Sequence, residues 1–334
     1  MDNSQTFNIS TSTIFRIIII LLGLVFLYFI RDILLIIFVS VIIAAAMNGP
    51  VSWLQNHKIH RILGVLFVYL IFLLLAILVI TIISPVLAEQ IKQLANYFPE
   101  LIEKVNIGFQ EWWGQYRTDV NLQSFLDNFS NKLNQATSSI FGTIVGLFGG
   151  LFSFGIVLVI SFYLAVQEKG VKRFFISMTP SEHQHYVSDL INRIQIRIGG
   201  WLRGQLLLML IIGSLTFIGL YFLGVKYALT LALIAGILEL IPYIGPFIAL
   251  IPAVILAFVQ SPMLALLVIV LYVVIQQLEN YVIVPQVMKK AVNLNPIVII
   301  VVMLIGAKLA GVMGIILSIP LTAAVAEFLK DFQK

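Results

Sequence analysis

The groups in this chain that can do chemistry are carboxylates set inside long apolar runs. Glu239 lies in the run 228–260, ALTLALIAGILELIPYIGPFIALIPAVILAFVQ. An ionisable group at membrane depth costs about 2.5–3.5 kcal/mol on insertion scales, so it must face a cavity or a partner. There it can carry a coupling proton, or it can tie the chain down through a structural hydrogen bond. Glu279 is grouped with Gln276, Gln277 and Asn280 at the end of another apolar run. Helical spacing puts Gln276, Glu279 and Asn280 on one face. That patch either lines a site or solvates the cytoplasmic end of a span. The Tyr243 hydroxyl is available to a substrate or to backbone capping, and Gln205 can hydrogen-bond into a cavity. Arg203 suits snorkelling to lipid headgroups. Lys308 can attract an anionic group, pair with Glu239 or Glu279, or reach water. Pro242, Gly245 and Pro246 shape a break, and the amides and carbonyls that they free can bind a polar solute.

Much other chemistry is excluded. The chain has no cysteine, hence no disulfide, iron–sulfur cluster, thiolate metal site or cysteine nucleophile. Its four histidines, His57, His60, His183 and His185, all fall outside the apolar runs. No H-E-x-x-H, G-x-S-x-G or paired intramembrane aspartates occur, and no phosphate-binding G-x-x-x-x-G-K-[ST] loop. No enzyme activity, metal, cofactor or direct use of ATP is expected. The net charge of +5 reflects loop lysines and arginines, not a nucleic-acid partner.

The elements that must position these groups are helices in a bilayer. Apolar residues make up 60% of the chain and charged ones 10%, with a mean hydropathy of +1.06. Soluble domains carry about 25% charged residues. The expected fold is an all-α polytopic membrane protein with about eight apolar segments. A polar tail, 1–13, precedes three spans in 14–87. The first is retained, since no A-x-A-like cleavage site follows it. The second, 33–47, is short. It either extends to Trp53 or packs inside the bundle, and Asn48-Gly49-Pro50 is its expected end. An external amphipathic helical segment follows at 88–140, with Trp112, Trp113 and Tyr116 as an interfacial cluster. The fourth span is 141–166, with Gly142, Gly146 and Gly150 at packing intervals. A basic cytoplasmic helical segment occupies 167–203. There Thr179-Pro180-Ser181-Glu182 has the form of a capping box that starts a helix over 180–202.

The rest, 204–334, is the expected transport region. It holds a span over 204–224 and two runs of 33 residues, 228–260 and 296–328. At about 1.5 Å per residue, each is far too long for one crossing of a hydrocarbon core of about 30 Å. Each also carries a break near its middle. Two re-entrant hairpins are the expected answer. Charge agrees: loops 51–61, 167–203 and 285–295 and the tail hold 12 of the 20 lysines and arginines. Re-entry puts them all in the cytoplasm together with both termini, leaving 88–140 outside.

These residues resemble a known family. The run Leu202-Arg203-Gly204-Gln205, then Gly224, Tyr227-Ala228, Leu240-Ile241-Pro242-Tyr243-Ile244-Gly245-Pro246 and Ile251-Pro252-Ala253, is similar to the AI-2E family of transporters, which includes PerM-like permeases. The likeness continues through Pro285, Leu294-Asn295-Pro296, Gly311, Gly314-Ile315 and Pro320-Leu321. It departs at Gly306-Ala307, where the family often has paired glycines. The resemblance implies eight apolar segments, export of small molecules, a homo-oligomer and a bacterial inner membrane. Members are linked to the signal autoinducer-2 and to sodium–proton antiport.

The expected function is therefore secondary transport. The two hairpins would carry a small polar solute or an ion by moving against a frame of the other spans. The competing readings are an oligomeric channel or membrane scaffold and, further off, a membrane enzyme. The partners expected are the solute or ion, the lipid bilayer and further copies of the chain.

Overall fold

The computed structural model describes residues 11–74, 77, 81, 150–167, 170–288 and 295–332. The expected external segment 88–140, the Gly142–Gly146 spacing and the loop lysines Lys289 and Lys290 lie outside these residues. The described chain forms helices α1 (Thr11–Phe29), α2 (Arg31–Asn56), α3 (Arg61–Leu74), α4 (Leu151–Val166), α5 (Gly170–Ser177), α6 (Gln184–Phe222), α7 (Ala228–Leu238), α8 (Ile244–Gln260), α9 (Pro262–Leu278) and α10 (Pro296–Leu329). No strand occurs among the described residues. Five stretches are long and apolar enough to cross a membrane: Ser12–Phe29, Arg31–Asn56, Ser181–Phe222, Pro262–Val287 and Pro296–Leu329. The protein is thus an all-α multi-pass membrane protein.

Helix α6 is the spine. It contacts α2, α5, α7, α9 and α10. Its 39 residues span about 58 Å, nearly twice a hydrocarbon core, so one end must project beyond the bilayer. The sequence predicts two elements here, a cytoplasmic helix ending near Leu202 and a span starting at Gly204. Instead the helix runs straight through both. The predicted capping box is also absent. Ser181–His183 form a 3₁₀ turn, and Thr179 Oγ1 donates to the Phe175 carbonyl at 2.8 Å.

Helix α2 also overruns its predicted end, passing through Gly49 and Pro50 to Asn56. A proline inside a helix leaves the carbonyl four residues back without its donor. Here that carbonyl is Ala46, and Arg203 Nη1 lies 3.4 Å from it. The guanidinium expected to snorkel is instead turned toward the helical carbonyl that Pro50 leaves open.

Three apolar clusters hold the helices together. Leu220, Leu231, Ala249, Ala253 and Val268 join α6, α7, α8 and α9. Ile42, Ile198, Trp201, Met303 and Ile316 join α2, α6 and α10. Val51, Val65, Tyr69 and Ala165 join α2, α3 and α4. Small residues recur at these contacts, as expected where van der Waals packing, not exclusion of water, drives helix association. The apolar side chains of α1 are exposed in the isolated chain, which suits contact with lipid.

Both 33-residue runs are interrupted. The first breaks over 239–243, and α7 and α8 pack against each other across it. The second breaks inside α10, where Ala310 (φ −144°) and Gly311 (φ 59°, ψ −139°) leave the helical region. Gly311 takes a backbone conformation that glycine alone adopts without strain. The chain doubles back there. A Cβ placed on Gly306 would strike the Gly314 carbonyl, and one on Gly314 would strike that of Gly306. Residues eight apart in a straight helix are about 12 Å from each other. A side chain at Gly306 must therefore wedge the two arms apart. Gly306→Leu is expected to destabilise the protein by about 1–3 kcal/mol. The same change at Gly23, where no atom lies within 4 Å, should be silent. Thermal unfolding in detergent checks both.

Candidate functional site

The first break is built by hydrogen bonds that tighten and then turn the chain. Leu240 N donates to Ile237 O (3.1 Å) and Ile241 N to Leu238 O (2.9 Å), both one residue shorter than helical bonds. Ile244 N then donates to Pro242 O at 2.7 Å, closing a γ-turn around Tyr243. Tyr243 sits at φ 64°, ψ −47°, a strained conformation for a residue with a Cβ. Strain of this kind persists only where its surroundings enforce it. One enforcing contact is Gly245, whose backbone lies so close to the Leu238 carbonyl that no Cβ would fit.

A helix that stops at Glu239 leaves its carbonyl unpaired. Gln205 Nε2, from α6, donates to that carbonyl at 2.6 Å. Gln205 is buried, and its amide is spent on the backbone. The structural tie that the sequence offered as one role for Glu239 is thus made by its carbonyl. Its side chain is left over. Glu239 is 1% exposed, and its Oε2 has no hydrogen-bond partner.

Glu279 faces it from another distortion. After Leu278 the helix widens into a π turn, Glu279–Ile283, before the single α turn Val284–Val287. Pro285 explains the widening. Its ring would clash with the carbonyl four residues back in a regular helix, and it has no N–H to give that carbonyl. Glu279 is 5% exposed, and Gln276 Nε2 donates to its Oε2 at 3.2 Å.

Glu239 and Glu279 are near enough to interact directly and border one cavity of about 150 Å³. Gln205, Pro242, Tyr243 and Asn280 line it as well. Six of the ten residues singled out from sequence therefore converge here. Gln276 stands behind Glu279. With Pro246 and Asn280 it also borders a neighbouring groove of about 200 Å³ between α8 and α9. Gly245 shapes the turn from behind. Lys308 is not brought to the site. It is exposed near the break in α10 and forms no ion pair with either carboxylate, as suits the reading in which it reaches water.

No lysine or arginine among the described residues lines the cavity. Among the described residues, no group of three histidines, aspartates or glutamates is placed to hold a metal ion. Two carboxyls withdrawn from water without a cation cannot both stay ionised at low cost. Protonation of either carboxyl, or a cation beside them, would lower that cost.

Sequence reasoning missed two features. Trp201, 2% exposed, walls the cavity one turn before Gln205 on α6. The i,i+4 spacing from Arg193 through Arg197 and Trp201 to Gln205 was the available signal. The same stripe carries an ion-pair cluster. Arg193 holds Asp331 with two bonds (3.0 and 2.6 Å), and Arg197 Nε pairs with Glu327. Lys330 reaches Glu327 at 3.3 Å. This cluster clamps the end of α10 to α6.

Comparison with known proteins agrees with this architecture. The profile described as "AI-2E family transporter" matches residues 17–334. Two Bacillus subtilis proteins provisionally named as transport proteins are similar. YueF is 27% identical over 73% of this chain and 69% of its own length, and YrrI is 31% identical over 60% of each. A Halobacillus andaensis protein named a sodium-lithium/proton antiporter is 25% identical over 90% of this chain and 91% of its own.

The bond from Gln205 to the Glu239 carbonyl carries a direct stability consequence. Gln205→Leu orphans a buried acceptor and should cost about 1–3 kcal/mol. Gln277→Leu, at an exposed position, should stay within about 0.5 kcal/mol of wild type. Unfolding midpoints in detergent distinguish the two.

Proposed function

The chain belongs to the AI-2E transporter family, and from that premise we propose that it is a secondary transporter whose solute path runs through the cavity between Glu239 and Glu279. The sequence left open export of a small polar solute and cation–proton exchange. One observation favours exchange: two buried carboxyls share a cavity that no basic side chain enters among the described residues. With one proton shared between the two carboxyls the site carries a single negative charge, which either a second proton or one monovalent cation neutralises. Exchange of one for the other across the membrane is the transport cycle.

The broken units supply the moving parts in this reading. In it the units 228–260 and 296–328 re-enter the bilayer, a reading that their mid-run breaks support. Backbone freed at their breaks is satisfied by protein, as Gln205 does at Glu239. Positive-inside charge supports a cytoplasmic position for the Arg193–Arg197 end of α6 and for both termini. The ion pairs of Glu327 and Asp331 then lie on the cytoplasmic side of the cavity, and they must part if α10 moves relative to α6.

Proteoliposomes loaded with a pH-sensitive dye test the exchange. Addition of Na⁺, Li⁺, K⁺ or membrane-impermeant tetramethylammonium is expected to move protons at a rate that saturates with at least one of these cations. Glu239→Gln should slow that flux by tenfold or more. A conductance that does not saturate and ignores Glu239→Gln would make the protein a channel.

A further inference from the structure

The chemistry of the cavity wall goes beyond charge. Resting on the reading above, we propose that the site takes a small organic ammonium ion, with its charged head between Glu239 and Glu279 and its hydrocarbon part against Leu208, Ile299 and Ile319.

Three observations carry this. The first is an unpartnered acceptor. Glu239 lines the cavity, and its buried Oε2 has no hydrogen-bond partner, with the Glu279 carboxyl close by. An N–H of an ammonium head supplies what it lacks, and a second N–H can reach Glu279. The second is the scarcity of other oxygen ligands. Ca²⁺ and Mg²⁺ take six or more oxygen ligands, waters included. Beyond the two carboxyls, the described lining side chains offer the Gln205 and Asn280 amide oxygens and the Tyr243 hydroxyl. The Glu239 carbonyl, a natural ligand at a helix break, is already taken by Gln205 at 2.6 Å. The third is volume and wall. A cavity of about 150 Å³ is far larger than a bare alkali ion. Apolar cavities of about this size hold a molecule as large as benzene. Trp201 and Tyr243 border the same space, and aromatic faces attract ammonium groups.

Contact between hydrocarbon and wall predicts a chain-length series. From methylammonium to butylammonium, affinity should rise by about threefold to fourfold per methylene, following the transfer free energy of a buried CH₂. The rise should stop once the cavity is full. The measurement is the thermal unfolding midpoint of the purified full-length protein, titrated with methyl-, ethyl-, propyl- and butylammonium chloride, NaCl and LiCl at matched ionic strength. Saturable stabilisation that strengthens with chain length, and that is lost in Glu239→Gln and in Glu279→Gln, is the expected result. The series on wild type stands by itself if either variant fails to fold. Saturable stabilisation by Na⁺ or Li⁺ with none by the alkylammonium ions overturns this inference and leaves cation exchange standing. Alkylammonium binding that does not depend on chain length also overturns it. Absence of saturable binding by any cation overturns both.

Discussion

A helix broken among apolar neighbours leaves carbonyls with no water to turn to. The structure around the site follows from how this debt is met. At Glu239 the carbonyl is satisfied by a single buried amide, Gln205, reaching across from α6. That bond holds the break against the spine of the molecule. It also settles the division of labour at Glu239: the backbone does the fastening and the carboxyl is left to the cavity. The chain answers a similar need at Pro50, where Arg203 turns toward the Ala46 carbonyl that lacks its helical donor. Both solutions come from one turn of α6, so this helix serves as a rack of donors for broken neighbours.

The two carboxyls reach each other because two helices are distorted in different ways. A γ-turn follows Glu239, and a π turn starts at Glu279. Each distortion has a local cause in proline chemistry, Pro242 in one case and Pro285 in the other. Regular helices would aim these side chains elsewhere. Strain at Tyr243 sits directly beside the cavity, where stored conformational energy can bias two states of a moving unit. On the same face of α6, the pairs of Arg193 and Arg197 with Asp331 and Glu327 fix the end of α10. One helix thus touches the break, the cavity and the clamp.

The sequence made the membrane class and the two breaks legible, because length, hydropathy and proline placement are local signals. It also marked most of the cavity. Glu239, Glu279 and Gln205 are conspicuous in apolar surroundings, and a polar group there must face something. What it hid were relations between distant segments. Asn48-Gly49-Pro50 reads as a helix end unless Arg203 is known to stand beside it. The stretch 180–224 reads as two elements because its charge changes midway, while the backbone has no reason to stop. For Lys308 the sequence left pairing and access to water both open, because charge alone does not reveal which way a residue beside a break faces. Trp201 was marked only by its i,i+4 spacing to Gln205, a weak signal among so many apolar neighbours.

The central claim is that Glu239 and Glu279 form one site at which protons and a cation exclude each other. The most direct measurement counts protons released into weakly buffered solution when a saturating cation is added to purified protein. The account predicts a saturable release from wild type and none from the Glu239→Gln, Glu279→Gln double variant. Cation binding without proton release, or release unchanged in the double variant, would contradict it.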